Sequence, residues 1–366
     1  MKIKNKWGTF IIFWALTIGV GPGCKENATV DIASEKILDS LAIQQIDTFF
    51  VASSIRALEV VNDQTVWFAG SEGRFGFTED DGKSWTIDSI RTDTIVPHFR
   101  AISVTEEAVF LLCIGSPALL YKSVDKGKNW EVVYREDHPA AFYDAMAFWD
   151  AKEGIAMGDP TEGFLSVIIT RDGGNTWEKV DGKNLPPTAD GEAAFAASNS
   201  NIALYGDHAW IVSGGKKARV FHSPDRGRTW EVFNTPIIAG EQMTGIFSCD
   251  FWDDQHGIIF GGNWEKQDQN TQNKALTNDG GHSWYLVAEG YFPGYRSCVQ
   301  YAPDGNGKIL VAAGIPGICW SQDGGNSWAP LSDKSFYTIR FGNSNKTAWV
   351  AGQNKIGKIV WADLEQ

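Results

Sequence analysis

The chain has 366 residues, 43% of them hydrophobic and 21% charged, a balance that suits a globular protein and excludes a disordered or repeatedly membrane-spanning one. Its formal charge of -13 opposes binding to phosphate backbones, so nucleic acid is excluded as a partner. Aromatic residues make up 13%, with 16 Trp, and Gly numbers 39; packing aromatics combined with turn formers point to an all-β protein.

Lys2, Lys4 and Lys6 precede an apolar run from Trp7 to Val20, followed by Gly21-Pro22-Gly23-Cys24. The run is shorter than the ~20 residues that a membrane-spanning helix needs and reads as the centre of a signal peptide over residues 1–23. Small residues directly before a cysteine resemble a bacterial lipobox, with Gly21 where Leu is usual. That resemblance makes Cys24 the lipidated first residue of the mature protein; the alternative is an ordinary signal-peptidase cut with Cys24 incidental. Residues 24–42 then form the lipidated cysteine and a polar tether. The expected location is the bacterial cell envelope, periplasm or surface, with the membrane as a partner through the lipid. Loss of the three leader lysines takes the charge to about -16.

From residue 43 onward a turn recurs: TEDDGKSW, SVDKGKNW, TRDGGNTW, SPDRGRTW, TNDGGHSW and SQDGGNSW, centred on Asp80, Asp125, Asp172, Asp225, Asp279 and Asp323. Successive copies start 45, 47, 53, 54 and 44 residues apart, the period of a four-stranded propeller blade. Each copy suits a hairpin turn, because Asp accepts from turn amides, Gly takes positive φ and Trp covers the hairpin end. Before each turn an apolar run ends in glycine, at Gly70, Gly115, Gly158, Gly214, Gly261 and Gly314, and a seventh ends at Gly352. The last repeat lacks a fourth strand, which Ile43 to Phe50 is placed to supply. The sequence thus predicts an all-β, seven-bladed β-propeller over residues 43–366, the N-terminal strand completing the last blade, in a monomer. Inner strands are predicted at SIRALEVV, HFRAISV, FYDAMAFW, AAFAASN, GIFSCDFW, YRSCVQYA and FYTIRFG. The Asp turns then crowd one face, and the starts of the inner strands crowd the other, where a binding site is expected.

These turns resemble those of BNR or Asp-box proteins. The blade grammar, an inner strand with Arg-Ala, then Trp-x-x-Gly, then Thr-x-Asp-Gly-Gly-x-Thr-Trp, resembles the photosystem II stability/assembly factor-like propellers over about residues 43 to 366. The strings MGDPTEGF (Met157 to Phe164), LPPTADGEAAFAAS (Leu185 to Ser198) and GGNWEKQDQNTQNKALTNDGG (Gly261 to Gly281) look like a non-photosynthetic bacterial branch, whose members are often labelled oxidoreductase or sialidase. The resemblance implies a scaffold that holds a protein partner or an assembly intermediate on the arginine-bearing face. The Asp turn itself is a folding motif and assigns no activity.

Arg56, Arg100 and Arg296 stand near the starts of inner strands and are the candidate ligand contacts. Trp264 in the longest loop joins them, with Lys216 and Lys217, which form a basic spot with Arg219. The leading expectation is a non-enzymatic binder of protein or glycan. The alternative is a sialidase-like or other glycoside hydrolase, with Tyr337 as nucleophile and Glu192 and Asp144 as acids. A sialidase of this type has six blades and an Arg-Ile-Pro near its start, whereas FRAI at Phe99 to Ile102 echoes IRAL at Ile55 to Leu58 as part of the repeat.

No cofactor is expected: no GxGxxG opens a helix after a strand, and no haem or iron-sulfur spacing appears. No metal is expected either. Cys113, Cys249, Cys298 and Cys319 show no zinc spacing. They lie in apolar runs and read as buried free thiols, with a Cys249 to Cys298 bridge as the alternative. His98, His138 and Asp144 are the nearest approach to a metal cluster.

Overall fold

The repeat produces strands almost throughout. The computed structural model describes residues 43–92, 95–303, 305–342 and 347–361, so the leader, Cys24 and the tether lie outside the described residues. The strands form six antiparallel sheets around a central channel. Four sheets have four strands; that of Phe99–Val104, Val109–Cys113, Ala118–Ser123 and Glu131–Glu136 shows the pattern.

The propeller has six blades, which corrects the expected seven. The expected first and last blades form one six-stranded sheet. Ile43–Val60 is a single strand of 18 residues. Its first half pairs with Lys355 to Trp361 and its second half with Val66–Gly70. The shared strand makes one hydrogen-bonded unit of two sequence repeats and leaves no free edge between the chain ends. That sheet also supplies two of the strands around the channel, Ile43–Val60 and Thr338–Phe341.

A second correction concerns AAFAASN, expected as an inner strand. Only Glu192–Ala193 is strand there, paired with Gly214–Gly215. Residues 194 to 201 are irregular, and Ile202–Tyr205 is the first strand of a separate four-stranded sheet.

The hydrophobic core lies between neighbouring sheets. Phe110 and Leu112 of one sheet pack with Tyr143, Met146 and Ile168 of the next, and Phe110 stacks on Phe148 at 4.7 Å between ring centroids. The Asp turns lock this contact. In the fifth, Thr277 Oγ1 donates to Asp279 Oδ1 at 2.8 Å, the Ser283 amide donates to Oδ1 at 2.9 Å, and Ser283 Oγ donates to Oδ2 at 2.5 Å. Trp284 Nε1 closes the turn on the Gly281 carbonyl at 2.9 Å. Gly281, with φ of 92°, lies against the Trp210 ring of the preceding sheet. A side chain there would be strained and would crowd that ring.

One contact between neighbouring strands of a single sheet is titratable. The rings of His208 and His222 stack in line with Trp210, with His208 Nδ1 2.9 Å from His222 Nε2. Burial, then the neighbouring His208, lowers the His222 pKa from 6.5 to about 4. Between those values the unfolded chain binds a proton that the folded one refuses, so stability falls as pH drops from about 6.5 to about 4 and is flat for this group above that window. Urea midpoints at pH 7 and pH 5 should therefore differ more in the wild type than in His222→Phe; equal differences would remove His222 from the account.

Candidate functional site

Inner strands form the channel wall, and a recurring irregularity aims particular side chains into it. Register shifts between Ile55 and Ala57, Phe99 and Ala101, and Ile246 and Ser248 leave Arg56, Arg100 and Phe247 as the extra residues of β-bulges. A fourth shift, between Tyr143 and Ala145, does the same for Asp144. A bulge turns its extra residue out of the pleat, and Arg56, Arg100 and Phe247 reach the channel mouth opposite the Asp turns while Asp144 stays buried. It also drives the inner strand against the end of the next one. A Cβ at Gly158, inside the strand Gly154–Thr161, would run into the Phe142 carbonyl, so glycine is required there.

The irregular segment at 194 to 201 crosses the channel. Arg56 Nη1 donates to the Ala197 carbonyl at 3.2 Å. Asn199 Nδ2 donates to the Ile102 carbonyl at 2.9 Å, while its Oδ1 accepts from the Met146 amide at 2.9 Å. The Cys249 amide donates to the Ser200 carbonyl at 3.0 Å, and Ser198 Oγ donates to the Ser297 carbonyl at 2.6 Å. Arg340 Nη2 reaches the carbonyls of Ser198 and Asn199 at 3.0 and 2.8 Å. Small side chains let the segment pass, and its bonds divide the channel into two cavities.

The cavity at the mouth opposite the Asp turns has a volume of about 430 Å³, within the size range of small-ligand sites. Arg56, Arg100, Asp159, Phe195, Phe247, Tyr295 and Trp264 line it. Arg56 lies over the Tyr337 ring, 3.9 Å from its centroid, and burial lowers its pKa. Arg100 is pushed down to about 10, first by burial and then by Arg56; its Nη1 is buried without a hydrogen-bond partner. Asp159 accepts from the Ala194 amide at 2.8 Å and is held above the usual carboxylate range by burial. Asp144 is wholly buried, neither of its carboxylate oxygens has a partner, and burial followed by the neighbouring Asp159 raises its pKa well above normal. Phe195 and Phe247 stack at 3.9 Å, with Tyr295 edge-on to Phe247 at 4.8 Å.

The second cavity, about 240 Å³, opens at the Asp-turn end and is lined in part by Glu59, Asp250 and Arg340. Burial raises Glu59 to about 7 and Asp250 to about 6.

The sequence-selected residues divide clearly. Arg56, Arg100 and Trp264 share the larger cavity. Arg296 does not: it is 2% exposed, and its side chain lies against Gly314 and Phe292. Lys216 and Lys217 are exposed, with Lys216 Nζ on the Gly240 carbonyl at 2.8 Å. Tyr337, Glu192 and Asp144 do not line the cavity. Glu192 is fully engaged by Arg219, at 2.5 Å from Nη2, together with Ser213 Oγ and the Ala189 amide. Tyr337 meets Gln353 at 3.4 Å. His98 lies beside Glu72 and His138 accepts from the Ala140 amide. Among the described residues no three His, Cys, Asp or Glu side chains are grouped to hold a metal. Cys113, Cys249, Cys298 and Cys319 are buried and free. Asp159, Phe195, Phe247 and Tyr295 escaped the sequence reading; only the quoted strings around Asp159 and Phe195 hinted at them.

A ring of antiparallel sheets whose bulged inner strands hold charged and aromatic side chains at one mouth defines a β-propeller with a binding cavity on rigid elements. The chain belongs to the DUF6242 beta propeller domain family, whose model matches residues 25–237. It is similar to the chloroplastic photosystem II stability/assembly factor HCF136. Against that of Oryza sativa subsp. japonica it is 27% identical over 218 residues, covering 55% of this chain and 48% of the relative. Against that of Arabidopsis thaliana it is 25% identical over 220 residues, 55% of this chain and 49% of the relative. The match thus spans about half the length of these relatives. Similar solved structures include YCF48 bound to D1 peptide, with a TM-score of 0.63 and 15% identity over 88% of this chain and 99% of that one. YCF48 from Cyanidioschyzon merolae has a TM-score of 0.61 and 14% identity over 86% and 98%. The WD40 repeats of RRP9 match with 0.61 and 12% over 88% and 98%. At these identities the structures show the fold alone.

The Glu192–Arg219 pair generates a prediction. Glu192→Ala leaves Arg219, with its side chain 14% exposed, without its carboxylate. Urea unfolding should show a loss of about 3–5 kcal/mol, and a loss below about 1 kcal/mol would mean that the pair is solvated.

Proposed function

We propose that this chain is a binding or assembly scaffold that holds a protein partner at the larger channel mouth. The observation that carries this reading is the pairing of Arg56 and Arg100 on inner-strand bulges, where neither guanidinium meets a carboxylate among the described residues and Arg100 Nη1 is left without a partner. Such cations, fixed beside an aromatic wall and the half-exposed Trp264, suit an acidic group of a partner better than a structural role. Similarity to the photosystem II assembly factors and the existence of YCF48 bound to D1 peptide support a protein as the ligand class. We further propose that the six turns are Asp-box turns and that the chain is an envelope lipoprotein of the non-photosynthetic branch, anchored through Cys24. The six-blade count removes one objection to the glycoside hydrolase, but its candidate acids are committed elsewhere, since Glu192 is bound to Arg219 and Asp144 is sealed.

Arg56→Gln with Arg100→Gln should lower capture of cross-linked envelope proteins at least tenfold while leaving the melting temperature within a few degrees. Cys24→Ser should shift the protein out of the membrane fraction in the same cells. Undiminished capture by the double variant would sink the docking reading, and an unchanged membrane fraction would sink the anchor.

A further inference from the structure

The wall of the larger cavity brings the basic Arg56 and Arg100 and the acidic Asp159 together, none of them in an ion pair among the described residues. Arg56 gives one hydrogen bond, to the Ala197 carbonyl, and Arg100 Nη1 has none. Asp159 accepts one amide, and near it, outside the cavity wall, Asp144 has two buried oxygens without any partner. Neither acid has an ion-pair partner among the described residues. Leaving such groups unpaired away from water is costly, and each costs less when an opposite charge arrives with hydrogen bonds. A simple anion would satisfy the arginines and burden the acids further; a simple cation would do the reverse. Only a ligand with both charges relieves both sets of groups.

The remaining wall says what else the ligand carries. The Phe195 and Phe247 stack, with Tyr295 edge-on to it, offers an apolar surface between the charged groups. A volume of about 430 Å³ is near the lower end of small-ligand sites, so the ligand is of amino-acid size. We propose that the cavity binds an α-amino acid with an aromatic or large apolar side chain, its carboxylate held by Arg56 and Arg100, its ammonium by Asp159, and its side chain against Phe195 and Phe247. The proposal rests on this mouth being the binding face and adds the chemistry of a small ligand that the docking of a protein does not require.

Calorimetric titration of the mature chain with L-phenylalanine, N-acetyl-L-phenylalanine and L-phenylalaninamide separates the two charges. Phenylalanine should bind at least tenfold more tightly than either blocked form. Asp159→Asn should abolish the advantage over the N-acetyl compound, and Arg100→Gln the advantage over the amide. Equal binding of all three, or no heat up to millimolar phenylalanine, overturns the proposal. Should Asp159→Asn fail to fold, the three ligands on the wild type still decide. Phenylalanine binding together with undiminished partner capture by the arginine double variant would retain this site and reject the docking reading; lost capture without phenylalanine binding would do the opposite.

Discussion

The hydrogen bonds of Asn199 are the contact on which the rest of the channel depends. One side-chain amide joins the carbonyl of Ile102 to the amide of Met146, so two inner strands that do not belong to one sheet are tied through a third segment. Ser198, Ser200 and Arg340 extend the same arrangement to the other side of the ring. Each bond contributes about 1 kcal/mol net, but each buried group left without its partner would cost about 1–3 kcal/mol. The crossing segment is therefore over-determined, and it separates a mouth with arginines and aromatics from one with Glu59, Asp250 and Arg340.

That separation explains why charge is treated so differently across the molecule. Glu192 and Arg219 meet at 2.5 Å with further hydrogen bonds, as buried charges must if they only hold the fold. Arg226 is likewise shared among Asp150, Glu153 and Asp207 on the Asp-turn side. At the larger mouth Arg100 and Asp159 lack such pairing. Arg100 stands on a bulge of an inner strand and Asp159 on a bulge of the strand beside one, so these groups are presented rigidly rather than on loops.

Much of this was legible in the residues. The Asp turns were recognisable because their function is local: Thr277, Asp279 and Ser283 bond to one another within seven residues. Gly70 and Gly314 do end their strands, but the strands continue past Gly158, Gly261 and Gly352, and the close approach of Gly158 to Phe142 was not legible. Arg56 and Arg100 could be placed at one mouth by register alone. What failed depended on distant partners. Glu192 looked like a catalytic acid until Arg219, 27 residues away, occupied it. Arg296 shares its register with neither of the other arginines, since the residue after it, Ser297, bonds back to the Ala313 carbonyl. AAFAASN has the composition of an inner strand, and only contacts across the ring turn it into a crossing segment. The blade count failed because Ile43–Val60 continues through what the repeat reads as a boundary.

The claim that the crossing segment organises the channel is tested most directly by native-state hydrogen exchange at the Met146 and Cys249 amides, which bond to Asn199 Oδ1 and the Ser200 carbonyl. In the wild type both should exchange only through global unfolding, with the same denaturant dependence as the slowest core amides. In Asn199→Ala the Met146 amide should become exchangeable through local opening while core amides elsewhere keep their cooperative behaviour. Fast, denaturant-independent exchange of both amides in the wild type would contradict the account.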